Sequence, residues 1–517
     1  MKRLGIAAAV ACALLSPAPP AGAEATGDTH TFVTSFDGTQ LQVHLMRTDR
    51  VADDGAAPTV MIAHGFGEAA PSDPDAARLA GAPTVRPVLD AGYNVLTWDA
   101  RGHGGSEGSA MFDSPDFEVR DTQAVIDWAA TQPGVELDGP GDPRVGMVGA
   151  SYGGIVQFLT AAVDHRVDVI APGYTANTLA GNSLAKNGKF KEGWGLALAG
   201  MGGVGNVPAG LISPLGPQLH GLDPGSVTGL TGSIVAGTVT PAFKAYLDVR
   251  SPHLYLDRVN VPTLIQGGTS DTLFPLENLV NDFLTLKARG VPVKLAWNCE
   301  GHSLCPGNAG PLEAKFNSTV IAWMDRWLKE DRHTDTGPQF EWIADNEDNY
   351  RSAVAYPAKQ VGALRGRGSG LLPLTAVAPL SSPGFVFIGA QPALVGLNVP
   401  ISAPSGDSDV VGFPVLSLTY TGTALPHTTW VYGQILDKKS GRVVGVQVTP
   451  IPLTLDGKRR VVTLDLNAIA TRATSDSQYV LQLIPGSAIF GLQRSTGAVT
   501  FNDIQVSLPV IDPAHRG

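Results

Sequence analysis

The sequence predicts an α/β protein, a parallel sheet wrapped by helices on both faces, joined to a second half that is all β. Three observations predict it. Up to about residue 335, short apolar runs alternate with segments of helical periodicity, the pattern of strands linked by crossover helices. One of those runs, residues 145–150, ends in a serine set between glycines and passes directly into a helical pattern. Beyond residue 374 the period falls from helical to two, with turn signals between runs, as in a β-sandwich, here read as jelly-roll-like.

The start of the chain is a leader. Met1-Lys2-Arg3 is charged, Leu4 to Leu15 is apolar, and Ala21-Gly22-Ala23 is a small-residue cleavage pattern. This reads as a secretory signal peptide over residues 1–23, too short for a membrane span, and predicts export with cleavage after Ala23. The formal charge of −11 without basic clusters argues against nucleic acid and anionic membrane surfaces as partners. Two cysteines remain after the leader, Cys299 and Cys305, and in an exported chain they read as one disulfide. His302 lies between them, so a Cys-x-x-His-x-x-Cys metal reading exists. Three ligands so close in sequence rarely close a tetrahedral site unaided.

The elements then follow in order. Runs at 29–34 and 40–46 flank Asp37-Gly38, a hairpin signal. Residues 59–62 form a buried strand ending at His64-Gly65-Phe66-Gly67, and 93–98 form the next, ending at Asp99-Ala100-Arg101-Gly102-His103-Gly104. Residues 117–130 are helical through Val119, Val125, Ile126 and Ala129, and lead to the strand before Ser151. From 174 to about 258, sparse charge and Gly/Pro breaks around helical pieces mark an inserted cap, because so long a structureless loop is unusual. The apolar strand at 263–268 is followed by Asp271, the strand at 293–297 by His302, and a helix by 312–328. A polar stretch and a Gly/Pro-rich one make 336–373 a linker leading into the β half, 374–517. Within that half, runs at 430–435 and 443–448 flank a turn at 437–441, and 461–466, 479–484 and 499–508 continue the alternation.

The chemistry sits at strand ends. A strand, a tight turn carrying one serine and a helix form the nucleophile elbow of an α/β-hydrolase, and a Cβ at Gly149 or Gly153 is expected to collide with the neighbouring strand or helix. With 61 glycines the G-x-S-x-G spacing recurs by chance, and Gly104-Gly105-Ser106-Glu107-Gly108 repeats it without the strand–turn–helix context, so Ser106 reads as loop. Asp271 and His302 follow in hydrolase order at the carboxyl ends of later strands. An Asp there could equally cap a turn. His302 is chosen from the histidines after Ser151 because it alone falls in the loop after the last apolar strand of the first half. Ser151 is then the nucleophile, His302 the general base and Asp271 its orienting acid. The backbone amides of Tyr152 and Phe66 are the expected oxyanion donors. Arg101 and His103, eligible by residue type, read as structural. The chemistry calls for no cofactor and no metal.

Gly149-Ala150-Ser151-Tyr152-Gly153-Gly154, with Asp99-Ala100-Arg101-Gly102-His103-Gly104-Gly105-Ser106-Glu107-Gly108 upstream, resembles the X-Pro dipeptidyl-peptidase and cocaine-esterase (CocE/NonD-like) family. The resemblance implies a hydrolase domain with a helical cap, a C-terminal jelly roll, and hydrolysis of esters, acyl-amides or X-Pro peptides. It places the nucleophile at Ser151, the acid at Asp271 and the base at His302. Some members put a tyrosine hydroxyl in the oxyanion hole, where this chain has Phe66. The expectation is an exported serine hydrolase acting on a small ester, amide or short peptide, with ester or acyl hydrolysis favoured over X-Pro dipeptidyl aminopeptidase activity. A reading of another class is a catalytically degraded surface- or carbohydrate-binding protein.

Overall fold

Most of the predicted strands up to residue 298 lie in one sheet, because their side chains are apolar on both faces and both faces are covered. The computed structural model describes residues 28–50, 55–76, 83–202, 219–305, 312–375 and 385–512. The predicted signal peptide lies outside the described residues, as does the part of the predicted cap at 203–218. Strands β1 (Thr29–Thr34) and β2 (Gln40–Met46) form the hairpin, followed by β3 (Thr59–Ala63), helix α1 (Val85–Asp90), β4 (Asn94–Trp98) and α2 (Glu118–Ala129). A short hairpin, β5 (Leu137–Gly139) and β6 (Asp142–Pro143), precedes β7 (Val145–Ala150), α3 (Tyr152–Ala161) and β8 (Val167–Gly173). After the insertion come β11 (Thr263–Gly268), α7 (Glu277–Ala288), β12 (Val293–Asn298) and α8 (Leu312–Trp327). With two further strands, β13 (Phe340–Ile343) and β14 (Tyr350–Ala353), the order is β1-β2-β4-β3-β7-β8-β11-β12-β13-β14, parallel from β4 through β13.

Alternation along the strands sorts the core into two faces. Val60, Ile62, Val95, Val148 and Leu264 pack with Val88 of α1 and Phe316, Val320 and Trp323 of α8. Met61, Leu96, Met147 and Ile265 pack with Ile126 of α2, Phe158 of α3 and Phe283 of α7. The sheet is therefore buried on both sides, and its strands deliver their loops to one rim.

The insertion between β8 and β11 contains the strand pair β9 (Ala185–Lys186) and β10 (Lys189–Phe190) and helices α4 (Glu192–Met201), α5 (Pro224–Ala236) and α6 (Pro241–Asp248). The Asp223 carboxylate accepts the Gly225 and Ser226 amides and Thr240 accepts that of Phe243, each with proline opening the helix. Trp194, Leu198, Leu230, Phe243 and Leu247 form a core with Val386, Tyr432, Ile484 and Phe490 of the C-terminal half.

Two expectations require correction. Residues 336–373 are not a linker. Here β13 (Phe340–Ile343) and β14 (Tyr350–Ala353) extend the first sheet, and Gln360–Leu374 is a long strand, β15. The glycines that suggested a linker serve close packing; a Cβ on Gly370 would stand 2.5 Å from Leu397. The remainder is β-rich: β16 (Leu397–Pro400), β17 (Ser408–Gly412), β18 (Val415–Asp437), β19 (Arg442–Val443), β20 (Thr449–Asp456), β21 (Arg460–Asp465), β22 (Ile469–Ala473), β23 (Tyr479–Ile484) and β24 (Thr496–Ile511). β18 is central, pairing with β20, β21, β23 and β24 along its length. The strand expected at 443–448 stops after Val443, because Gly445 and Val446 take positive φ and turn the chain toward the first half. Among the described residues no helix is long and apolar enough to cross a membrane.

Candidate active site

The serine is placed by a strained turn. Ser151 follows β7 with φ 57° and ψ −119°, a conformation seldom adopted by a residue with a Cβ, and α3 starts at the next residue. The turn fits only because its neighbours are glycines. A Cβ on Gly149 or Gly153 would come within 2.3 or 2.2 Å of the Ala63 carbonyl oxygen at the end of β3. The Ser151 amide donates to the Gly173 carbonyl at 2.9 Å, which ties the elbow to the end of β8.

Asp271 and His302 reach the same point from the loops after β11 and β12. His302 Nε2 is 2.8 Å from Ser151 Oγ, and His302 Nδ1 is 2.8 Å from Asp271 Oδ2. Those partners assign the tautomer: Nδ1–H donates to the carboxylate, and Nε2 accepts from the serine hydroxyl. Asp271 is fully buried, and its Oδ1 accepts the Leu273 and Phe274 amides at 2.9 and 2.6 Å. The His302 ring meets Phe274 and Trp194 edge-on, at centroid distances of 4.9 and 5.8 Å. Cys299 and Cys305 are disulfide-bonded, with His302 in the loop they close. The bond takes up both sulfurs that the alternative metal reading needed.

Tyr152 and Phe66 lie beside the serine. The Tyr152 amide is the first N–H of α3 and has no carbonyl one turn back to receive it. Phe66 occupies the turn after β3, its ring 5.7 Å from that of Tyr152. His64 holds this turn, Nδ1 donating to the Gly65 carbonyl at 2.7 Å and Nε2 accepting the Ala100 amide at 2.9 Å. Arg101 is buried between Asp121 and Asp37, and His103 is buried 4.9 Å from the His64 ring. Ser106 donates to the Asp99 carbonyl within its own loop.

The sequence reading missed the groups that hold the acid. Lys191, buried at the start of α4, donates its ammonium to the Thr272 and Leu273 carbonyls, both at 2.8 Å. Burial pushes Lys191 down to about 7, partly opposed by the charge of Asp271. Trp194 Nε1 donates to Thr272 Oγ1 at 3.0 Å. From the β-rich half, Gln447 Nε2 donates to the Thr269 and Asp271 carbonyls at 2.9 and 2.8 Å. The signal on offer was three lysines, 186, 189 and 191, in a segment otherwise poor in charge.

Comparison with known proteins bears out the resemblance read from the sequence. Residues 37–208 match the family model of X-Pro dipeptidyl-peptidases (S15 family). A CocE/NonD family hydrolase from Staphylococcus aureus superposes with a TM-score of 0.61 at 15% identity, over 94% of this chain and 97% of that one. An alpha-amino acid ester hydrolase does so with a TM-score of 0.67 at 14% identity, over 97% and 100%. An aminopeptidase from a marine sediment Thaumarchaeota archaeon gives 0.66 at 13% identity, over 96% and 99%. These likenesses establish the fold, an α/β domain followed by a large β-rich region. An uncharacterized 31.7 kDa Escherichia coli protein from the traX-finO intergenic region is 36% identical over 81 residues, 16% of this chain and 27% of that protein.

Proposed function

We propose, starting from the match to the S15 family model, that this chain is an exported serine hydrolase working through a covalent acyl-enzyme. The observation that carries the reading is the unbroken relay from Asp271 through His302 to Ser151, two contacts of 2.8 Å each, at a strained elbow. In this mechanism His302 Nε2 takes the hydroxyl proton as Ser151 Oγ attacks the carbonyl carbon. The imidazolium is stabilised by Asp271 and returns the proton to the leaving group. The Tyr152 and Phe66 amides take the charge on the tetrahedral oxygen. Water then repeats the sequence on the acyl-serine, with the same base.

The insertion serves as a cap, the β-rich half is a jelly-roll-like sandwich that closes one side of the site, and residues 1–23 direct export. Ester or acyl hydrolysis is favoured, because the base is walled by Trp194 and Phe274, with the Phe387 ring packed on Trp194 at 5.2 Å. The S15 match keeps an X-Pro peptidase as the second reading. A fluorophosphonate probe tests the class: labelling is expected, and it is expected to vanish in Ser151→Ala. Replacing Ser151 or His302 is expected to cost on the order of 10⁴- to 10⁶-fold in turnover. Hydrolysis of p-nitrophenyl esters against Ala-Pro-p-nitroanilide tests the substrate, and faster cleavage of the anilide would reverse the preference for esters.

A further inference from the structure

Phe112 and Asp113 form a buried turn that packing alone does not explain. Both residues stand in the left-handed region, with φ of 54° and 57°, and both are buried. Such a conformation in consecutive residues with side chains persists only where its surroundings over-determine it. Here Glu118 does so. Its Oε1 accepts the Met111 amide at 2.7 Å and its Oε2 accepts the Ser114 amide at 2.8 Å, so one carboxylate brackets the turn. Oε1 also accepts the hydroxyl of Tyr152 at 2.8 Å. Tyr152 is the residue after the nucleophile.

The other side of the turn reaches Phe66, the second expected oxyanion residue. The Phe112 ring stacks on the Phe66 ring with centroids 5.3 Å apart and planes 8° from parallel. From the insertion, Arg250 Nε and the Tyr246 hydroxyl donate to the Met111 carbonyl at 2.7 and 3.1 Å, and the Ala110 backbone pairs with Gly221 and Asp223. The turn is thus held from outside by the insertion and touches both residues whose amides face the substrate carbonyl in the proposed mechanism.

We propose that Glu118 and the Phe112–Asp113 turn are positioning elements of the oxyanion hole, Glu118 fixing the Tyr152 amide through its phenol and Phe112 fixing Phe66. The inference rests on the serine-hydrolase reading above. A carboxylate that merely anchors the start of α2 affects how much protein is folded. A positioning carboxylate affects turnover by each folded molecule, and it affects binding of ligands that carry an oxyanion.

The test uses the full chain with Tyr152→Phe, which removes one hydroxyl and keeps the ring and the amide, and with Glu118→Gln. Active sites are counted by fluorophosphonate titration. Then kcat and KM for p-nitrophenyl acetate, and the inhibition constant of a trifluoromethyl ketone, are measured per titrated site. The expected result is a kcat lower by roughly 10-fold with KM nearly unchanged, and a ketone weakened by about the same factor, because its adduct places an oxyanion in the hole. Unchanged kcat and ketone affinity in Tyr152→Phe overturn the proposal, whatever happens to Tm or to Glu118→Gln. Absence of labelling and turnover in the unsubstituted protein removes the hydrolase reading instead, and this inference with it.

Discussion

Lys191→Met separates two effects of one buried ammonium by their pH dependence. Lys191 is buried and donates to two carbonyls, and among the described residues no carboxylate is hydrogen-bonded to it. Burial lowers its pKa from 10.5 to about 7. Between those values the unfolded chain binds a proton that the folded chain has released, so folded stability rises with pH across the window. The slope approaches about 1.4 kcal/mol per pH unit, and integrating from pH 7 to 9 gives about 2 kcal/mol. Methionine removes this slope. It also strips a donor from the Thr272 and Leu273 carbonyls, a loss of about 1–3 kcal/mol each that does not depend on pH. The stability of the wild type relative to Lys191→Met should therefore climb by about 2 kcal/mol from pH 7 to 9, whatever the offset at pH 7. Urea unfolding followed by tryptophan fluorescence at several pH values measures it. Parallel curves for the two proteins over that range would refute the reasoning.

Asp113→Asn should stabilise the protein at alkaline pH. Both Asp113 carboxylate oxygens are buried without a hydrogen-bond partner among the described residues, and burial, reinforced by Glu118, holds the acid well above the ordinary carboxylate range. Above the unfolded value the folded state keeps a proton that the unfolded state has lost, so stability falls as pH rises. Asparagine tolerates the positive φ and removes that slope, so a gain of roughly 1–3 kcal/mol at pH 8 should fade toward pH 4 in thermal melts. Cys299→Ser should leave the fold in place while loosening the loop that carries His302. A drop in kcat of about 10-fold, together with faster thermal inactivation, is expected, and unchanged kinetics on both counts would remove the loop-fixing role.

What was legible in the sequence follows from range. The order of β3, β7, β11 and β12 was readable because a strand buried on both faces must be a continuous apolar run, and Val145–Ala150 or Thr263–Gly268 can hardly be anything else. The meeting of Ser151, Asp271 and His302 was readable because the fold brings residues at its strand ends to one rim. Composition misled at β15, where Gly366, Gly368 and Gly370 look like a flexible linker and are instead strand positions pressed against Pro400, Val399 and Leu397. The groups around the acid were not legible. Lys191 and Gln447 reach Asp271 from 80 and 176 positions away along the chain, carry no motif, and act through backbone carbonyls that any sequence would offer.

Those two side chains also explain why the acid loop needs more than its own domain. Lys191 from the insertion serves the carbonyls of Thr272 and Leu273, and Gln447 from the β-rich half serves those of Thr269 and Asp271. Ser303 beside the base donates to Val386 at 2.5 Å, and the Leu304 amide donates to the Phe387 carbonyl at 2.8 Å. The loops that carry Asp271 and His302 therefore complete their hydrogen bonding on residues outside the first sheet. A β half that only bound a surface would leave turnover indifferent to Gln447. On the present reading Gln447→Leu leaves two buried carbonyls without donors, costs about 1–3 kcal/mol for each, and lets the Asp271 turn shift. Because Asp271 sets the tautomer of His302, kcat should fall more than KM changes, by at least 10-fold. Turnover per fluorophosphonate-titrated site that matches the wild type would mean that the first domain shapes its acid loop unaided.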